Sequence, residues 1–247
     1  MASEPPTTAA SPDYGDFMKK SLFALTAAAL ILAPGAARAQ GFAVAGRAGT
    51  LGIGAEAALG LGPRLDLRGG IGLLPIERDA GNFWDTCDRA GVDCTFKLPK
   101  TWYNIGLDLY VGGGFRIGGG MLFKPDDPSL SVGLQSGSTI EVGGVSYTEA
   151  DLGTLTGSVD SKSSAPYALI GFGKHTKTGI GLFLDLGMAF LGDSPVKLEA
   201  SADPQEANTT LQANLRKEEA TLENDLPTWA RKYWPILNVG IKVGIGR

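Results

Sequence analysis

The sequence predicts an all-β fold: an eight-stranded antiparallel up-and-down transmembrane β-barrel with one amphipathic helix in the last long loop. Three observations predict it. Segments of roughly ten residues alternate aliphatic with small or polar side chains, the period-two signature of strands. The polar face of that alternation carries full charges at mid-strand, namely Glu56, Asp66, Arg68, Asp108, Arg116, Asp185 and Lys242. Connections alternate between short and long, the pattern of barrels with short periplasmic turns and long external loops.

Composition agrees. The chain has 36 glycines in 247 residues, roughly twice average usage. They are interleaved with aliphatic residues, as in Leu51-Gly52-Ile53-Gly54 and Val243-Gly244-Ile245-Gly246. In a helix each such glycine costs about 1 kcal/mol relative to alanine, so strands are favoured. The formal charge is -4 and no Lys/Arg run exists, which argues against a nucleic-acid partner.

An export signal precedes the barrel. Met18-Lys19-Lys20 is a positive n-region, and Ser21 to Leu32 is an apolar stretch shorter than the ~20 residues a membrane-spanning helix needs. Pro34 and Gly35 break it, and Ala37-Arg38-Ala39 fits small-x-small cleavage between Ala39 and Gln40. The rival reading is a buried helix or an anchor. Residues 1–39 are thus an upstream extension plus signal peptide, and residues 40–247 are the barrel, placed in the bacterial outer membrane. Cys87 and Cys94 are the chain's two cysteines, and in an oxidising compartment they most simply form a disulfide. A metal site would need further ligands, and His175, the single histidine, is distant in sequence. No metal and no cofactor is expected.

The strands follow in order. Working back from the end, they fall at about 235–247, 179–192, 166–174, 114–124, 101–112, 64–75 and 51–61. Single-chain bacterial barrels have even strand numbers, so Phe42 to Ala48 supplies the eighth. The alternative is one long first strand, with the missing strand near Thr139 to Tyr147. Aliphatic faces such as Ile180, Leu182, Leu184, Leu186, Met188 and Phe190 point to lipid. The charges point inward, where Asp108 and Asp185 need Arg68, Arg116 or Lys242 as partners. Phe183 and Tyr110 help to fill the interior. Tight turns join residues 60–63, 112–114 and 175–178, and long loops occupy 77–100, 125–165 and 193–232.

Leu211, Leu215 and Leu222 recur at helical spacing between Asp203 and about Asp225, ahead of Pro227. This helix is either a lid or a partner-binding helix, or else a loop helix resting its leucines on the barrel mouth. Trp102, Tyr103, Phe123, Tyr233 and Trp234 suit an outer aromatic girdle at the headgroup level. Phe83 and Trp84 could contact lipopolysaccharide or pack within their own loop.

Ala48-Gly49-Thr50-Leu51-Gly52-Ile53-Gly54-Ala55-Glu56, Pro166-Tyr167-Ala168-Leu169-Ile170-Gly171 and Leu184-Asp185-Leu186-Gly187-Met188 resemble small proteobacterial outer-membrane barrel proteins of the OmpA-type eight-stranded architecture. The stretch from Glu218-Glu219 through Pro235 and the closing strand is similar to the last loop and strand of that group. The resemblance spans most of residues 40–247 and implies architecture more than function. One departure is the ending Gly244-Ile245-Gly246-Arg247, where such proteins finish on an aromatic residue.

Three function classes follow. The first is a closed barrel with a structural or surface-interaction role, in contact with outer-membrane lipid, lipopolysaccharide and, through its long loops, other envelope proteins. The second is a small channel or uptake protein for small polar solutes. Inward glycines motivate it, since Gly52, Gly54, Gly70, Gly72, Gly118, Gly120, Gly181 and Gly187 leave space. The third and weakest is a lipid-modifying enzyme, which needs a histidine beside a serine or carboxylate near the outer rim. His175 is instead expected to be exposed in a periplasmic turn. No enzyme is expected. Gly112-Gly113-Gly114 joins two strands and so cannot be a phosphate loop, which must open a helix.

Overall fold

A computed structural model of the protein describes residues 41–79, 87, 89–203, 206 and 208–245. The expected signal segment and its cleavage point, Phe83, Trp84 and the closing Gly246-Arg247 lie outside them. In chain order the strands are β1 (Phe42–Gly49), β2 (Ile53–Gly60), β3 (Leu65–Leu73), β4 (Glu77–Asp79), β5 (Val92–Lys97), β6 (Thr101–Gly112), β7 (Phe115–Phe123), β8 (Ser129–Leu134), β9 (Thr139–Val142) and β10 (Val145–Thr148). Helix α1 (Glu149–Leu152) precedes β11 (Thr154–Val159), β12 (Ser164–Phe172), β13 (Gly179–Phe190) and β14 (Val196–Ala200). Helices α2 (Thr209–Asp225) and α3 (Thr228–Lys232) lead into β15 (Tyr233–Ile245).

Eight of these strands close an antiparallel barrel in the order β1-β15-β13-β12-β7-β6-β3-β2. Phe42 pairs with Ile245 and with Leu59, so the first segment is a strand of its own. Closure gives every strand two neighbours and leaves no open ladder edge. Along β6 the side chains alternate without a break. Trp102, Asn104, Gly106, Asp108 and Tyr110 are buried, while Tyr103, Ile105, Leu107, Leu109 and Val111 are exposed. β13 and β15 repeat the pattern, with Ile180 81% and Leu182 74% exposed on the outside. The exterior is therefore aliphatic and the charges are inside, the reverse of a water-soluble barrel.

One end, taken as the lower, holds the Phe42–Ile245 pair and the tight turns. Gly113 and Gly114 join β6 to β7 with φ of 58° and 89°, a two-residue turn that only glycine enters without strain.

At the upper end the sequence reading needs correction. The segments 77–100, 125–165 and 193–232 hold a second sheet. Its order is β14-β11-β8-β5-β4, that of the barrel strands β13, β12, β7, β6 and β3 directly below. Five neighbouring barrel strands thus break and resume as an upper sheet. Four of the five breaks contain proline: Pro75, Pro99, Pro125 with Pro128, and Pro195. Proline cannot donate to a ladder, so pairing stops there and restarts beyond. β9 and β10 form a separate hairpin, so Thr139 to Tyr147 is not a barrel strand.

The upper sheet has its own apolar core. Leu211 and Leu215 of α2 pack with Val132, Leu155 and Leu198 of the sheet and with Ile140, Val142 and Tyr147 of the hairpin. The helix therefore rests on the upper sheet and not on the barrel mouth. Asn208 caps it by accepting from Leu211 N at 3.1 Å. Glu223 and Glu219 of α2 accept from the backbone N–H groups of Val196 and Leu198 at 2.8 and 2.7 Å. Strand β14 is an edge, and these carboxylates occupy donors that would otherwise be free to pair with another chain. The Cys87–Cys94 disulfide belongs to the same core.

Candidate functional site

The barrel interior is the candidate site, and it is built in three layers. The middle layer is ionic. Arg47 of β1 donates to Glu56 of β2 at 2.5 Å. Arg68 of β3 reaches Glu56 at 3.5 Å, Asp108 of β6 at 3.2 Å and Asp185 of β13 at 2.5 Å. Arg116 of β7 contacts Asp108 at 3.2 Å, pairs with Asp185, and donates to the Gly173 carbonyl at 2.5 Å. All six side chains are at most 2% exposed. Three guanidiniums meet three carboxylates. Desolvating these charges is costly, and it is offset here because most of them have more than one opposite neighbour.

The expected interior residues divide. Glu56, Arg68, Asp108, Arg116 and Asp185 meet in this layer. Asp66 and Lys242 are also buried but lie lower. Asp66 accepts from Thr176 Oγ1 at 3.1 Å. Lys242 donates to the carbonyls of Lys177 and Gly179, the latter at 3.1 Å. The sequence reading missed Arg47, although its alternation with Ala43 and Ala45 placed it on the inner face.

The lower layer is a seal made by the β12–β13 turn, which folds up into the lumen. His175 is 1% exposed, so the expectation of an exposed turn histidine is overturned. Its ring lies 4.5 Å from that of Phe183, centroid to centroid, and its Nε2 is 3.6 Å from Glu56 Oε1. Its backbone N–H donates to the Tyr110 hydroxyl at 3.0 Å. Gly244 makes room for the turn, since a Cβ there would meet the carbonyl oxygens of Lys177 and His175.

The upper layer is apolar. Trp102 is fully buried, with its ring centroid 4.8 Å from that of Trp234, and the two pack with Leu51, Leu122, Leu191 and Ile236. Trp102 and Trp234 therefore cap the lumen and do not belong to an outer girdle. Tyr103 and Phe123 are exposed neighbours in register. Tyr233 meets the outward Phe190 edge-on at 5.7 Å. These four mark the upper rim of the outer wall.

Inward glycines do not leave a path. A Cβ at Gly118 would meet Asp108 and Leu169, at Gly70 Glu56 and Asn104, and at Gly181 the Lys242 side chain. Glycine is the complement of a large neighbour at each point, and Gly52 lies in a turn. The interior void beside Arg47, Asn104, Tyr167 and Asn238 is about 10 Å³, room for roughly one water molecule. Among the described residues no group of three or more His, Cys, Asp or Glu is placed to hold a metal ion.

Fold and interior together define a closed, charge-filled barrel with an aliphatic wall and a folded upper sheet. Among solved structures the chain is similar to CarO2 of Acinetobacter baumannii, with 16% identity, a TM-score of 0.53, and coverage of 84% of this chain and 100% of that one. It also matches CarO of Acinetobacter baumannii, at 15% identity and a TM-score of 0.45, over 83% of this chain and 97% of that one. A major outer membrane protein from Thermus thermophilus follows at 14% identity and a TM-score of 0.37, over 83% and 98%. The likeness to CarO2 is one of fold. No protein-family model and no curated protein matches the chain.

Proposed function

We propose that the protein is an exported outer-membrane β-barrel with a structural or surface-interaction role. In this reading the barrel is an anchor in outer-membrane lipid and lipopolysaccharide, and the upper sheet with α2 meets other envelope proteins. The observation that carries it is the doubly sealed lumen: Trp102 and Trp234 above, the His175 turn below, and a matched ionic layer between. An eight-stranded interior is just wide enough for side chains to fill. Purified protein in planar bilayers is expected to show no discrete conductance. Steps abolished by charge reversal at Arg116 or Asp185, in variants that still migrate as folded barrels, overturn this reading.

A gated path for small polar solutes is the second reading. It is favoured by one observation: the lower seal is a turn, joined to the wall through Thr176–Asp66 and His175–Tyr110. A turn can withdraw without breaking a strand ladder. Conductance that appears only in His175→Gly with Thr176→Gly would favour it.

A further inference from the structure

The connections at the lower end all meet at the β12–β13 turn. Lys174 donates to the Pro63 carbonyl of the β2–β3 turn at 3.0 Å. A Cβ at Gly114 of the β6–β7 turn would stand 3.6 Å from the Gly173 nitrogen, and one at Gly41, just ahead of β1, would meet the Thr176 carbonyl oxygen. From β15, Lys242 donates to the carbonyls of Lys177 and Gly179. These contacts join the lower connections into one closed face across the lumen. That face is basic. Arg64 and Lys177 are exposed on it and Lys174 is half-buried, with Lys242 buried just beneath. Among the described residues no carboxylate pairs with any of these four cations. Asp66 is fully buried and already accepts from Thr176. Exposed acids gather at the opposite end, as at Glu77, Asp93, Glu141 and Glu199. Like charges held together without a counter-ion repel one another, and an incoming anion relieves that repulsion.

We propose that this lower face binds the carboxylate-bearing polymer of the cell wall beneath the membrane. The proposal rests on the reading that the chain spans the outer membrane with its tight turns in the periplasm. Charge complementarity selects an anion. Position selects against a lipid headgroup. The Lys174 ammonium lies 5.4 Å from the ring centroid of Tyr110, an inward side chain, so it stands under the lumen. Headgroups lie beside the wall instead, near the outward Phe115 and Phe172, whose ring centroids are 5.4 Å apart. Area selects against a folded protein partner. Eight strands ~4.8 Å apart and tilted by ~45° close a ring about 17 Å across, or about 230 Å². A stable protein interface buries ~800 Å² per partner. A polymer that repeats its carboxylates engages many barrels at once and gains strength by multivalency.

The test is cosedimentation of the full chain, held in phosphatidylcholine nanodiscs, with purified cell-wall sacculi. Wild type is expected to bind, to be released as salt rises and its charges are screened, and to ignore sacculi whose carboxylates have been amidated. Arg64→Gln with Lys177→Gln removes two exposed cations from the lower face and should weaken binding about tenfold. Lys162→Gln with Arg216→Gln removes two exposed cations from the upper end and should leave binding unchanged. No binding by wild type, or equal binding by wild type and the Arg64/Lys177 variant, overturns the proposal. So does a thermal stabilisation by phosphatidylglycerol nanodiscs that this variant loses while it still binds sacculi, which would assign the face to headgroups. Orientation is scored separately. Lys177→Cys on intact cells should be shielded from a membrane-impermeant maleimide. Labelling there refutes the periplasmic reading beneath the proposal, whereas shielding with equal sacculus binding refutes the binding face alone.

Discussion

Arg68 and Asp185 lie on strands four places apart in either direction around an eight-stranded closed barrel, and their side chains meet across the lumen at 2.5 Å. The pair ties opposite walls together. Arg116 binds the same carboxylate from a third strand, and Arg68 also faces Glu56 and Asp108. The interior is thus a set of cross-braces, each carboxylate shared between cations.

Removing one brace leaves a buried charge behind. Asp185→Ala strips a carboxylate from both Arg68 and Arg116, and a broken buried ion pair costs about 3–5 kcal/mol. Urea-induced unfolding in lipid vesicles should show that loss. Replacing Arg68 and Asp185 together by Met and Leu should cost less than the sum of the single changes.

Two glycines on facing strands should respond oppositely to alanine. At Gly240 an added Cβ meets the Phe183 ring and the Gly46 carbonyl, and at Gly46 it meets nothing. Gly240→Ala is expected to destabilise the barrel by about 1–3 kcal/mol through overpacking. Gly46→Ala should stay within about 0.5 kcal/mol of wild type. The same unfolding assay separates them.

The disulfide should matter to the upper sheet and not to the barrel. Cys87 and Cys94 are 7 apart in sequence, and closing so short a loop restricts the unfolded chain by about 2–3 kcal/mol. Cys94→Ala, or reduction, is expected to speed proteolysis within residues 77–100 while the barrel keeps its heat-modifiable migration. Equal protection in both forms would argue against this account.

The β10–α1 junction carries a pH signature. Asp151 accepts from the Thr148 hydroxyl and backbone N–H at 2.7 and 2.9 Å, and these bonds hold its carboxyl below the ordinary carboxylate value. A folded pKa below the unfolded one stabilises at pH values above the unfolded pKa. That stability is lost as pH falls through the folded value. Carboxyl-detected NMR should therefore place Asp151 below the ordinary aspartate value, and Thr148→Val should move it upward.

The local pattern carried much of this molecule. Period-two alternation located seven barrel strands and the inward face, because which side of a sheet a residue occupies is decided by the strand itself, and the even strand number of such barrels supplied the eighth at Phe42 to Ala48. It also placed Glu56, Arg68, Asp108, Arg116 and Asp185 on the same side of the wall. The prolines at 75, 99, 125, 128 and 195 marked the height at which the barrel stops. All but Pro75, which fell at the end of the strand expected over 64–75, read as loop residues because the resumed strands β4, β5 and β8 are short and only partly alternating.

Tertiary structure decided the rest. That Arg68 meets Asp185, 117 residues away, depends on closure bringing opposite walls within side-chain reach. His175 is buried because the lumen has space for its turn, and the inward Trp102 becomes a cap because closure brings Trp234 of β15 to 4.8 Å from its ring. Each of these is a relation between distant strands, and no local periodicity contains it.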